Sequence, residues 1–222
     1  MINMSQFLPA SAFALKLGAK ALVYGPPGRG KTPIGNTAPR PVMCAVEPGM
    51  LSMRASNIPT WGAFEPKRID EFFEWLEKSN ETKNFDTVIV DSLSQMAEIY
   101  LADELYKNKD PRKAYGELSR KMMKHMTLLY FLQNKHTYLI CKQQKTDDNS
   151  VRPFFPGQDL NVKIPHLYDV ILHLDVHNIP GAGQHKAFRT AASFDAIARD
   201  RSGRLSEFEP CDLTALFNKV IS

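Results

Sequence analysis

The sequence predicts an α/β fold built on a mainly parallel sheet with helices on both faces and a C-terminal hairpin. Three observations carry that prediction. Short apolar runs bounded by turn residues alternate with helix-period segments along the chain. The 222 residues suffice for one such domain with a substantial core and are too few for two ordinary ones, so residues 1–222 are read as one domain. A glycine-rich turn, Gly25-Pro26-Pro27-Gly28-Arg29-Gly30-Lys31-Thr32, follows directly on the first apolar run.

Taken in order, strands are expected at residues 19–24, 42–47, 85–91, 137–142, 169–176 and 186–191. The helix after the glycine turn should be short, because Gly35, Asn36, Pro39 and Pro41 follow so closely. Pro33 is tolerated in its first turn, where the missing N–H would be unpaired anyway. Ile69, Phe72, Phe73 and Leu76 form one helical stripe, and Leu118, Met122, Met126 and Leu129 another; both are expected to face the core. Residues 178–185, Asn-Ile-Pro-Gly-Ala-Gly-Gln-His, have the chemistry of the loop in a hairpin joining the last two strands.

Composition narrows the function classes. No run of about 18 apolar residues suggests a membrane span, and residues 1–10 lack a basic stretch leading into a long apolar one, so a cytoplasmic location without a membrane partner is expected. Cys44, Cys141 and Cys211 are odd in number and share no CxxC spacing, which points to free thiols. The formal charge of +4 permits a nucleic-acid partner without demanding one.

The turn at residues 25–32 matches G-x-x-x-x-G-K-[ST] between a strand and a helix. Glycines let the backbone turn its amides inward, and the helix N-terminus faces the same point, which makes an anion cradle. Lys31 would add a point charge on the β/γ-phosphates and the Thr32 hydroxyl would ligate magnesium, so ATP with Mg2+ is the expected ligand. Val88-Ile89-Val90-Asp91-Ser92 is an apolar strand ending in a carboxylate; Asp91 is placed on the magnesium. Glu47 ends the preceding strand, at the edge where open α/β sheets collect ligands, and is the candidate base for the attacking water. Gln143 or Gln144, with Gln143 preferred, could sense the γ-phosphate from the end of the next strand.

The order of these segments, GPPGRGKT, CAVEPG, FDTVIVDS, LICKQQK and ARDRSG, resembles the RecA-like branch of P-loop ATPases. More narrowly, GKTPIGNTAPRPVMCAVEPG, the Asp91-Ser92 pair, Tyr168-Asp169-Val170 and the late ARDRSG are similar to the small phage-encoded RecA-core ATPases associated with single-strand annealing and recombination. That resemblance implies a sheet in which the strand before Gln143 lies between the P-loop strand and the Asp91 strand. It also implies self-association into a ring or filament on single-stranded DNA, in the host cytoplasm if phage-encoded. The ARDRSG segment resembles the Lys-x-Arg-x-Gly element with which RecA-like hexameric motors reach a neighbour's nucleotide. Arg201 would then act in trans, as would Arg199, which stands where lysine is usual.

For the nucleic acid, Lys145, Arg152, Phe154, Phe155 and Lys163, with Lys142, interleave basic groups with aromatics and could track phosphates and stack bases. Arg112, Lys113, Arg120, Lys121 and Lys124 could add a basic face, and His173, Asp175 and His177 share one side of a strand as conceivable metal ligands. The leading expectation is a DNA-dependent ATPase of phage recombination and annealing. The alternatives are a helicase-like or helicase-loading ATPase and an ATP-switched single-strand-binding protein with little turnover.

Overall fold

A computed structural model of the chain describes residues 9–222. The absence of a signal peptide, read from residues 1–10, therefore falls mostly outside the described residues.

In chain order the helices and strands are α1 (Ala10–Leu17), β1 (Lys20–Tyr24), α2 (Lys31–Ile34), β2 (Pro41–Ala45), β3 (Thr60–Gly62), α3 (Pro66–Lys78), β4 (Thr87–Asp91), α4 (Leu93–Lys107), α5 (Pro111–Phe131), β5 (His136–Cys141), β6 (Gln143–Lys145), β7 (Val151–Pro153), α6 (Gln158–Leu167), β8 (Val170–Ile179), β9 (Gly183–Arg189), β10 (Arg199–Asp200), β11 (Phe208–Glu209) and α7 (Leu213–Ile221). Nine strands of the described residues form one sheet in the order β11-β9-β8-β1-β5-β4-β2-β3, with β10 pairing β8 off that path; β6 and β7 make a separate ribbon. From β8 to β3 the main strands run parallel, and β9 returns antiparallel beside β8. This is the α/β arrangement expected, and β5 does lie between β1 and β4.

The strands β1 and β4 are buried along their whole length, as parallel strands covered on both faces must be. One face packs Leu22, Tyr24, Val88 and Val90 against the α3 stripe (Ile69, Phe72, Phe73, Leu76) and the α5 stripe (Leu118, Met122, Met126, Leu129). The other face packs Val23, Ile89, Tyr138 and Leu172 against Ile34 of α2 and Leu213, Leu216 and Phe217 of α7. Among the described residues, no helix is long and apolar enough to cross a membrane. The three cysteines are free, with Cys44 and Cys141 buried.

The structure corrects the predicted loop at 178–185. Only residues 180–182 turn; Ile179 pairs with Gly183, and His177 with His185, inside the β8–β9 hairpin. Pro180 and Gly181 occupy the middle of a turn closed by Ala182 N–H on Ile179 O at 3.0 Å, and the positive φ of Gly181, 77°, suits the second central position. Strands β3, β10 and β11 span two or three residues each, too short to show a periodicity in sequence.

Candidate nucleotide site

The cleft opens where β1 ends. Gly25 is pressed so closely on β8 that a Cβ there would lie 2.1 Å from Leu174 O, so only glycine fits. Gly28 and Gly30 take φ of 76° and 78°, the left-handed region that glycine reaches without strain. The chain then enters α2, which continues as a single further turn over Gly35–Thr37 before β2, as short as the following glycine and prolines required.

The resulting cleft, about 550 Å³, is lined by the turn (Gly25, Pro27, Gly28, Gly30, Lys31, Thr32), by Glu47 after β2, by Asp91 and Ser92 at the end of β4, and by Cys141, Lys142 and Gln143 at the end of β5. Lys31 Nζ donates to the carbonyls of Gly25 at 2.8 Å and Pro26 at 3.0 Å, which holds its ammonium within the cradle. Tyr138 O–H, from the buried face of β5, donates to Lys31 O at 3.0 Å and fixes the start of α2. Burial lowers the Lys31 pKa, and the charges of Asp91 and Glu47 oppose that shift.

Thr32 Oγ1 donates to Asp91 Oδ2 at 2.6 Å, joining the two groups expected on magnesium. Burial pushes the Asp91 carboxyl up to about 6; the Thr32 hydrogen bond opposes this and the Glu47 charge adds to it. A half-buried hydroxyl paired with a buried carboxylate, with a second carboxylate in the same cleft, is a set of hard oxygen donors for a small cation. Magnesium usually takes only one or two protein ligands beside phosphate oxygens and water, which the Thr32–Asp91 pair could supply. Glu47 is fixed by two contacts: its N–H donates to Asp91 O at 3.2 Å, and its Oε1 accepts from Ser92 Oγ at 2.5 Å.

The cleft thus brings together Gly25, Gly28, Gly30, Lys31, Thr32, Glu47, Asp91 and Gln143. Of the two glutamines, Gln143 lines it; Gln144 pairs across the ribbon with Arg152. Arg29 turns from the cleft to Asp175, Nε to Oδ1 2.6 Å. Sequence reasoning missed Ser92 as a partner of Glu47. It also missed His173, whose Nε2 lies 3.2 Å from Gln143 Oε1.

The burial of one predicted DNA-contacting residue corrects its assignment, and the others fall in different places. Phe155 is 1% exposed, packed in the core and unable to stack on a base. Lys163 pairs with Asp159 at 2.8 Å along α6, and Lys142 Nζ is engaged with Glu98 at 2.5 Å and Gln95 at 2.8 Å. Lys145 is exposed, and Arg152 and Phe154 are half-buried, on or beside the β6–β7 ribbon. Arg199 is occupied within its own chain, its Nη2 donating to the carbonyls of Pro165 and Tyr168. Arg201 reaches Asp169 Oδ1 at 3.2 Å and His166 O at 2.9 Å. Both arginines lie at the amino end of β8, paired near Val170, opposite the end where the cleft opens. On the expected basic face, Arg120 pairs with Glu117 and Lys121 with Glu104. His173, Asp175 and His177 have separate partners, Gln143, Arg29 and His173 O, and form no metal cluster.

The sequence profile of the AAA domain family matches residues 17–202. The chain belongs to the AAA domain family. The cleft is accordingly the ATP-binding P-loop of an ATPase-type domain, for which magnesium is the usual companion ion. Among solved structures, a KaiC-like protein from the hyperthermophilic archaeon Pyrococcus horikoshii aligns at a TM-score of 0.45 and 15% identity, over 77% of each chain. No curated protein matches the sequence.

Proposed function

We propose that this AAA-domain protein is a magnesium-dependent ATPase whose turnover is coupled to single-stranded DNA, acting as an assembly of copies in annealing or recombination of the phage type. One connection supports the coupling: Gln143 lines the phosphate cleft and is also the first residue of the β6–β7 ribbon. Lys145 and Arg152 of that ribbon are the groups that would follow a DNA backbone; Lys145 stands two residues along the chain from Gln143, and Arg152 pairs across the ribbon with Gln144.

Each side chain in the cleft then has a role. Lys31 meets the phosphates, Thr32 and Asp91 would hold magnesium, and Glu47, oriented by Ser92, takes the proton of the attacking water. The ion, when bound, neutralises charge on the phosphate oxygens. Gln143 presents an amide to the γ-phosphate.

The test is ATP hydrolysis with and without single-stranded DNA, with oligomer size measured in each state. Stimulation by single strands, lost in Lys145→Ala/Arg152→Ala, is the expected result. Turnover indifferent to DNA sinks the coupling. Nucleotide-dependent DNA affinity without turnover would instead make the protein an ATP-switched binder, and ATP-driven unwinding a helicase-like motor.

A further inference from the structure

We infer that His173 is a positioning residue for Gln143, setting which end of its amide faces the phosphate cleft. The inference rests on the reading of Gln143 as the group that senses the γ-phosphate.

His173 stands at the cleft end of β8, paired with Tyr24 of β1, the residue just before the phosphate-binding turn. The residue is 7% exposed, its ring lies 5.0 Å from that of Tyr24, and its Nε2 is 3.2 Å from Gln143 Oε1. The other ring nitrogen, Nδ1, is buried with no hydrogen-bond partner. A neutral imidazole carries one N–H. With that proton on Nδ1, a buried donor would be left without an acceptor; with it on Nε2, only a lone pair is left over, the more tolerable omission. The Nε2–H tautomer is therefore the favoured one, and it donates to the carbonyl end of the Gln143 amide.

The consequence falls on the opposite end of the same amide. Phosphate oxygens only accept hydrogen bonds, so a sensing amide must present its NH2; rotated by half a turn, it would present a carbonyl oxygen and be repelled. With Oε1 held by His173, the NH2 of Gln143 is the end directed away from β8 and toward the cleft it lines. His173 touches no nucleotide-binding atom itself and acts only through Gln143.

The experiment is a double-substitution cycle on the full chain, using His173→Leu, Gln143→Leu and their combination, with His173→Gln as the variant that keeps a donor near the Nε2 position. Calorimetric affinities for ADP and for the slowly hydrolysed ATPγS are measured beside kcat and KM. His173→Leu is expected to reduce the preference for ATPγS over ADP by about five- to tenfold, the scale of one net hydrogen bond, with ADP affinity little changed, KM for ATP raised in step and kcat lowered. In the Gln143→Leu background the same change should have almost no further effect. His173→Gln should recover most of the loss and also guards against a fold too damaged to read.

An equal effect of His173→Leu with and without Gln143, or no effect at all, overturns the inference. If Gln143→Leu alone leaves both the nucleotide preference and kcat unchanged, the sensing role fails first and the positioning role falls with it. The calorimetric preference keeps the test readable should turnover be slow.

Discussion

Ser92 Oγ donates to Glu47 Oε1 at 2.5 Å and accepts from the N–H of Gln95 at 3.2 Å. One hydroxyl therefore does two things: it caps α4 and it fixes the carboxylate proposed to activate water. Ser92→Ala should show both losses, about 1 kcal/mol of stability from the cap and a fall in kcat from the freed Glu47. Glu47→Gln should lower kcat by about a hundredfold or more while ATP still binds; Lys31→Ala should remove most binding. Calorimetric titration beside steady-state rates separates these cases. Wild-type turnover in Glu47→Gln would falsify the base assignment.

The contact between Gly25 and Leu174 gives a sharper prediction. A methyl at position 25 would meet a backbone carbonyl at 2.1 Å, and no side-chain rotation can relieve that. Gly25→Ala must push β1 and β8 apart where the phosphate turn begins, at a cost of about 1–3 kcal/mol or more. Thermal melting should show the destabilisation, and nucleotide affinity should fall with it. A Gly25→Ala protein of unchanged melting temperature would mean that the strand spacing is looser than the contact indicates.

These two contacts mark what could and could not be read from the sequence. The phosphate turn, Asp91 and Glu47 are local signals, since each sits at the end of an apolar run whose strand character is visible in the neighbouring residues. The partners of those residues are not local. Ser92 meets Glu47 across 45 positions and His173 meets Gln143 across 30, distances set by strand order alone. Phe154 and Phe155 illustrate the opposite difficulty: two adjacent aromatics in a basic loop look alike as letters, yet successive residues of an extended chain point to opposite sides, and Phe155 is the one that enters the core.

The burial of Phe155 carries a prediction of its own. It packs within the cluster that joins the sheet to α3, α4 and α5, so Phe155→Ala should cost about 3–5 kcal/mol by the loss of a large core side chain. Chemical denaturation reads this directly. Lys145→Ala should leave stability nearly untouched, because the side chain is exposed. If Phe155→Ala keeps full stability and loses DNA affinity, the residue acts at the surface after all.

Acid should weaken the fold through two histidines, one half-buried and one buried. His136 is pushed down to about 4, chiefly by burial and then by the Lys20 charge; its Nδ1 accepts from Ala19 N–H at 3.1 Å, and its ring stacks on Phe217. His173 is likewise lowered to about 4, with burial the main cause. Between the ordinary value of 6.5 and about 4, the unfolded chain binds protons that the folded chain refuses. The contribution of each ring is therefore complete above pH 6.5 and lost as the pH falls toward 4. Urea midpoints should drop across that window, and His136→Asn, which keeps an acceptor for Ala19, should flatten part of the drop. Asp91, raised to about 6, works in the opposite sense over much of the same window, so the deciding comparison is between variants: an equal drop in the wild type and His136→Asn contradicts the assignment.

The two arginines of the ARDRSG segment separate into different roles. Arg199 donates to two backbone carbonyls, and its Nε is buried without a partner, so its guanidinium is built into the turn between α6 and β8. Removing it leaves those carbonyls short of a donor, and Arg199→Ala should lose about 1–3 kcal/mol of stability whatever nucleotide is present. Arg201 differs: its side chain is 40% exposed and its pair with Asp169 is a surface contact, of the kind that contributes about 1 kcal/mol or less. It can leave that pair at little cost. If it supplies the trans arginine of an assembly, Arg201→Ala should melt within about 0.5 kcal/mol of the wild type yet hydrolyse ATP poorly, on the order of a thousandfold more slowly. Lys31→Ala should be inactive for the separate reason that its own cradle is broken. Mixed together, the two inactive variants can form interfaces that join an intact Lys31 site to an intact Arg201, and activity should partly return if subunits exchange. Recovery on mixing cannot arise from an arginine acting within its own chain, because no single subunit in the mixture has both groups. Full activity of Arg201→Ala alone, or equal turnover by the wild type as a dilute monomer, would leave Arg201 as a surface partner of Asp169 and nothing more.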